Sequence, residues 1–264
     1  MQLFDTHLHL DDTQFDPIRA EVVSRADQAG VQKMLAVGTT ADSSRATVAL
    51  AERFQSVYAA VGIQPNCCAA AENDDWDKVC KLVEEPKVIA LGETGLDRYW
   101  DDTPFDMQQD YFDRHLRLAQ QTELPFIVHM RDCGPDVVQM LTEARQRGPL
   151  RGVMHSFTGD SALAVQCLEL GLFISFAGMV TFKKSTDLRE VARQIPVNRI
   201  LIETDAPYLL PRDLREKPRS RRNEPSHLPH ILQRIARTRD EPVEQIAKAT
   251  RENTERLFKI AQQP

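Results

Sequence analysis

Short apolar runs alternate with longer amphipathic stretches along the whole chain, the pattern of repeated βα units around a parallel sheet. The runs predict eight strands, near 2–7, 33–38, 57–63, 87–92, 125–130, 150–155, 172–177 and 199–204. Helices are predicted between them near 17–30, 42–55, 74–85, 106–122, 134–147, 160–170 and 185–195, with two more near 227–238 and 242–260. In the last of these, Val243, Ile246, Ala247, Thr250, Leu257 and Phe258 recur at helical spacing. Gly30 and Gly171 fall at predicted helix C-termini, where a left-handed residue is favoured. Pro125 and Pro149 precede strands, where loss of an N–H is tolerated. Eight such units in 264 residues fit an α/β fold of the (β/α)8 TIM-barrel type, which typically takes about 250. A single barrel domain over 1–264 is expected. A doubly wound open sheet would need a glycine-rich phosphate turn after the first strand, and histidines stand there instead.

Those histidines are His7 and His9, in Phe4-Asp5-Thr6-His7-Leu8-His9. Residues two apart on a strand point to one face, so the pair offers two imidazoles to one spot. Four more potential ligands follow apolar runs: Glu93, His129, His155 and Asp205. In a parallel barrel every strand's C-terminal end faces the same mouth, where such enzymes keep their active sites. Four imidazoles and two carboxylates suit divalent ions such as zinc, manganese, iron or magnesium. Six ligands exceed what one tetrahedral zinc takes, so two ions sharing a bridging carboxylate are expected. Strand parity puts Asp5 on the face of His7 and Glu203 on that of Asp205, so both are expected to support the ligands from beneath. His115, His227 and His230 lie away from strand ends and read as structural.

Composition narrows the setting. With 42% hydrophobic and 27% charged residues the chain reads as an ordinary globular protein. There is no secretory signal pattern and no apolar stretch long enough for a membrane span. Its five cysteines include no C-x-x-C, so reduced thiols and a cytoplasmic location are expected, with no obligate protein partner. The formal charge of −6 argues against a non-specific duplex-DNA binder, though not against an enzyme handling one nucleic-acid end at a time. One stretch, Pro207 to Pro225, is irregular and basic: within it, from 212 to 222, the six cations Arg212, Arg215, Lys217, Arg219, Arg221 and Arg222 stand against two acids, Asp213 and Glu216. Loops after the last strands of barrels often bind phosphate, and arginine forks suit its oxygens. Arg131, just past His129, is another mouth cation expected near phosphate.

Four blocks resemble the signatures of the TatD family, metal-dependent deoxyribonucleases of the amidohydrolase superfamily. They are Phe4 to His9, Ala90-Leu91-Gly92-Glu93-Thr94-Gly95-Leu96-Asp97, His155-Ser156-Phe157-Thr158-Gly159, and Leu201-Ile202-Glu203-Thr204-Asp205-Ala206-Pro207-Tyr208. The likeness extends to Asn253…Arg256-Leu257-Phe258. It implies two divalent metal ions (zinc, manganese or magnesium), one held by His7, His9 and Asp205, the other by His129 and His155, with Glu93 bridging. It further implies hydrolysis of DNA phosphodiesters, often as a 3′-to-5′ exonuclease on single strands or 3′ ends, and a place in DNA repair. Asp205 would take the proton of the attacking water and Glu93 would set the metal spacing. Arg221-Arg222-Asn223-Glu224-Pro225 resembles a family block placed at the substrate phosphate. One block departs: where relatives commonly show Gly-Ile-His-Pro-His, this chain has Gly62-Ile63-Gln64-Pro65-Asn66, with Cys67 and Cys68 following. Gln64, expected at the phosphate, can donate an amide hydrogen bond but carries no charge. The alternatives are an amidohydrolase or esterase acting on a small amide or aminoacyl ester through the same metals and, more distantly, a metal-binding scaffold without turnover.

Overall fold

A computed structural model of the protein describes residues 1–215 and 222–260. Its strands are β1 (Leu3–Leu8), β2 (Val31–Val37), β3 (Val57–Val61), β4 (Val88–Asp97), β5 (Phe126–Arg131), β6 (Gly152–Met154), β7 (Phe173–Phe176) and β8 (Ile200–Ile202). They lie in one sheet in chain order, each parallel to the next. The first and last strands then close the ring. Leu8 bridges to Ala206 in parallel, His9 N donates to Ala206 O at 2.8 Å, and Asp205 N donates to His7 O at 2.9 Å. The eight-stranded barrel expected from the alternation is therefore present.

Helices α1 (Arg19–Gln28), α2 (Ala41–Arg53), α3 (Asp75–Leu82), α4 (Phe105–Thr122), α5 (Gly134–Arg147), α6 (Ser161–Glu169) and α7 (Thr186–Gln194) connect successive strands. After β8 come a short α8 (Arg212–Arg215), then α9 (Leu228–Arg239) and α10 (Val243–Phe258). The sequence pattern predicts all but α8, which at four residues is too short to show a period. Gly30 and Gly171 follow α1 and α6 in the left-handed region, at φ 86° and 93°.

Two apolar layers hold the barrel. An outer one packs helices against strands. The inner one joins Phe4, Ile127, Val153, Phe173 and Leu201, with smaller residues of the other strands, to Leu257 and Phe258 at the end of α10. Above this layer the barrel turns polar. Ser175 Oγ donates to Glu203 Oε2 at 2.6 Å, and Thr6 Oγ1 donates to Ile202 O at 3.0 Å. The largest boundary difference is β4, which continues through Gly95 to Asp97 rather than stopping at 92. Gly95 makes that extension possible: at φ 130°, any Cβ there would sit 2.1 Å from His129 O. Its absence lets β4 lie close against the strand carrying His129.

Candidate metal centre

The six expected ligands meet at the C-terminal mouth of the barrel, on β1, β4 and β5 or just past the ends of β1, β6 and β8. Glu93 stands at their centre and divides its carboxylate between two pairs. Its Oε2 faces His7 Nε2 at 3.6 Å and His9 Nε2 at 3.7 Å, while its Oε1 faces His129 Nδ1 at 2.9 Å and His155 Nε2 at 3.1 Å. Asp205 Oδ1 completes the first group, 3.8 Å from His7 and 3.5 Å from His9. The donor atoms of His7, His9 and Asp205 lie within 4.8 Å of one another, as do those of His7, Glu93 and His155.

The residues fit a divalent cation. His7 is fully buried, yet neither ring nitrogen has a hydrogen-bond partner. An unsatisfied buried donor or acceptor costs about 1–3 kcal/mol, and ligation by a cation would satisfy one of them. Burial alone would lower the His9 imidazole, but the Asp205 hydrogen bond and the charges of Glu93 and Asp205 carry it up to about 9. His155 is likewise raised against its burial, chiefly by the charge of Glu93. Burial would raise Glu93 itself, yet the surrounding imidazoles, His155 foremost, hold it well below the usual carboxylate range. A field that holds protons on buried imidazoles attracts cations in general.

Two of the four histidines are held by a contact of hydrogen-bond length at their outer nitrogen, and a third has its own at ion-pair distance from a carboxylate, which leaves the other nitrogen aimed at Glu93. His9 Nδ1 lies 3.1 Å from Val37 O, His129 Nε2 lies 2.8 Å from Asp97 Oδ2, and His155 Nδ1 lies 3.4 Å from Glu203 Oε1. Such outer partners set the tautomer and ring orientation of ligating histidines. Glu203 thus supports His155, while also accepting from Ser156 N at 2.5 Å. Asp5 supports the candidate ligands through the backbone: its carboxylate reaches no imidazole but accepts from His7 N at 3.4 Å, Thr204 N at 2.9 Å and Thr204 Oγ1 at 2.5 Å. The β1 register slips between Asp5 and Leu8, so the simple alternation from His7 back to Asp5 does not hold. Burial pushes the Asp5 carboxyl up to about 8 against those hydrogen bonds.

The expected phosphate contacts divide. Gln64 and Arg131 line a mouth cavity of about 900 Å³ together with His9, Glu93 and Asp205. Gln64 Oε1 accepts from Asn66 N at 3.1 Å and so caps the turn Pro65–Ala70. The guanidinium of Arg131 lies over the Tyr99 ring, 3.6 Å from its centroid. Asn223 is corrected. It is wholly buried, donating from Nδ2 to Thr204 O at 2.9 Å, with Oδ1 accepting from Glu224 N at 3.0 Å. It ties the loop down beneath the mouth. Arg222 is not among the described residues that line the cavity. It donates to Gln14 O at 2.7 Å and to Glu224 Oε1 at 3.1 Å, drawn to a carboxylate that Arg25 also grips. Arg221, Lys217 and Arg219 lie outside the described residues.

With the geometry in hand, the profile of the family described as "TatD related DNase" matches residues 4–259. The chain belongs to that family. It is a TatD-family metal-dependent hydrolase, as the blocks around its six candidate ligands imply. The metal-dependent hydrolase YabD of Bacillus subtilis is 38% identical over 258 residues, covering 98% of this chain and 99% of that one. A protein of Citrobacter rodentium called 3′-5′ ssDNA/RNA exonuclease TatD is 39% identical over 259 residues, with 98% of both chains covered. Among solved structures, YJJV, a TatD homologue from Escherichia coli K12, superposes with a TM-score of 0.91 at 31% identity, covering 98% of each chain.

Sequence reasoning missed Asp97. Besides holding His129 through Oδ2, it accepts from Tyr99 N at 2.8 Å and Trp100 N at 3.0 Å through Oδ1. Asn66, the second departure from the family block, donates to Asp97 Oδ2 at 3.2 Å. Burial would raise the Asp97 carboxyl, but His129 and these donors lower it to about 2. A clue was present: Asp97 stands four residues after Glu93, at even spacing on a strand.

Proposed function

We propose that this TatD-family hydrolase removes nucleotides from the 3′ end of single-stranded DNA, using two divalent ions bridged by Glu93. The observation that carries the two-ion reading is the division of the Glu93 carboxylate, one oxygen toward His7 and His9 and the other toward His129 and His155. The exonuclease reading draws on the relatives called 3′-5′ ssDNA/RNA exonuclease TatD. When bound, a pair of divalent ions supplies Lewis acidity to a water and neutralises charge on the phosphoryl oxygens.

The chain's own residues do the rest. His7, His9 and Asp205 would hold one ion, His129 and His155 the other, and Glu93 fixes their separation. Asp205 faces the cavity, with its side chain 13% exposed where that of Glu93 is 4% exposed. That exposure supports Asp205 as the acceptor of the proton that leaves the attacking water. Gln64 lines the same cavity and offers its amide as an uncharged donor to a phosphoryl oxygen. Arg131 offers the charged one.

End-labelled single-stranded DNA and metal-reconstituted protein test the reading. A ladder growing from the 3′ end is expected, and a chelator should abolish it. Glu93→Ala should lower bound metal and remove nearly all turnover. Wild-type metal stoichiometry and activity in that variant would sink the bridging role, and an intact oligonucleotide after long incubation with the wild type would sink the nuclease reading.

A further inference from the structure

Among the described residues, three aromatic side chains are exposed: Tyr99 at 54%, Trp100 at 49% and Tyr208 at 50%. All three line the mouth cavity that holds the metal ligands. Burying such rings is normally favourable, so three left open around one site mark a surface kept for a flat apolar ligand. Tyr99 and Trp100 follow β4 and Tyr208 follows β8, strands on opposite sides of an eight-stranded ring. The mouth therefore has an aromatic surface on each side.

Both surfaces hang from the metal centre. The backbone N–H groups of Tyr99 and Trp100 bond to Asp97 Oδ1, whose other oxygen holds His129. Tyr208 N donates to Asp205 O at 2.8 Å, its ring lies edge-on to His9 at 5.8 Å, and its hydroxyl donates to Asp12 Oδ2 at 3.0 Å. A base stacked on either surface is thus held in a fixed relation to the ligands. Arg131 is the sole Lys or Arg side chain lining the cavity among the described residues, and its guanidinium is itself stacked on Tyr99.

We infer that Trp100, with Tyr99 beside it, and Tyr208 across the mouth are stacking surfaces for unpaired bases at the 3′ end of a single strand, an inference that rests on the nuclease reading above. Every base has a π-face, so such surfaces accept any sequence, and they select single strands because a paired base cannot leave its own stack. These rings then discriminate between strands by whether a base is free to stack.

The test uses metal-loaded enzyme and two oligonucleotides, one normal and one with abasic residues at its 3′ end. Trp100→Ala and Tyr208→Ala should each raise KM for the normal strand roughly tenfold to a hundredfold, the size of one lost base stack, with the loss falling on KM rather than kcat. Trp100→Phe should restore most of it. The abasic strand should bind weakly to the wild type and be indifferent to these substitutions. Binding is also read without turnover, from quenching of tryptophan emission by a hydrolysis-resistant phosphorothioate strand. The only other tryptophan, Trp76, packs edge-on to Tyr111 and His115 and does not line the cavity. Quenching that disappears in Trp100→Ala supports the inference even if the wild type leaves every strand uncut, in which case the nuclease reading alone falls. Hydrolysis with equal KM on normal and abasic strands, or no quenching by any strand, overturns it.

Discussion

Asp97 shows how much a single carboxylate can organise. One oxygen holds the His129 imidazole at the candidate metal centre and the other fixes the backbone from which two cavity aromatics project. Replacing it by Asn keeps the Oδ1 acceptor but removes the negative partner of His129. Outer partners of this kind are typically worth about 10–100-fold in metal affinity or activity. Asp97→Asn is therefore expected to weaken metal binding by roughly that factor, read by calorimetric titration of the metal-free protein, while the folded spectrum and thermal midpoint change little. Unchanged affinity would mean that His129 is oriented by packing alone. At this scale sequence legibility was uneven. The convergence of the six candidate ligands on one mouth could be read because histidines and carboxylates at strand ends are rare and chemically distinctive. Asn223 and Arg222 could not be placed, because sequence shows that a cation or an amide is present but not which way it turns. Only the fold reveals that Glu224 and Thr204 claim them.

At the scale of elements, α4 reaches the mouth through one buried residue. His115 Nε2 accepts from Ile63 N at 3.1 Å, and its Nδ1 lies 2.7 Å from Tyr111 O, so the ring holds the turn that carries Gln64 and Asn66. The structural role read for this histidine is what the packing shows. Burial, with a smaller contribution from the nearby Arg114 charge, lowers its pKa to about 4. The protonated ring would also point an N–H at the Ile63 N–H. In the unfolded chain the imidazole titrates near about 6.5. Between those values the unfolded state binds the proton and the folded state does not, so stability falls as pH drops through that window. From pH 7 to 5 the loss from this group is roughly 2 kcal/mol. Urea unfolding at the two pH values should show wild type losing about that much more than His115→Gln. Equal losses would mean that His115 takes up its proton in the folded state. Most strand and helix positions were legible here, because the apolar runs alternate so regularly. The continuation of β4 to Asp97 was not, because Glu93-Thr94-Gly95 breaks the apolar run just where the backbone must run close to β5.

For the whole molecule, chemistry and stability occupy opposite ends of the barrel. The mouth carries charge, open aromatics and an imidazole without hydrogen-bond partners, features that serve ligands at some cost to the fold. The other end is sealed by α10, whose Leu257 and Phe258 complete the apolar layer inside the strands. Phe258 lies 6.4 Å from Phe4, nearly parallel to it, and Arg151 Nη2 donates to Leu257 O at 2.5 Å just before β6. The helical spacing of these two residues was visible in the sequence. Their place inside the barrel was not, since period alone cannot say what an apolar face will cover. Phe258→Ala should open a cavity in this layer and cost about 3–5 kcal/mol. At about 2–4 °C per kcal/mol for a chain near this size, the thermal midpoint should fall by roughly 6–20 °C. Well below that midpoint, metal stoichiometry and kcat on single-stranded DNA should match wild type, because no ligand touches the layer that is lost. A variant that stays folded at 25 °C but loses metal would show instead that the inner layer sets the ligand geometry, and that the two ends of the barrel act as one unit.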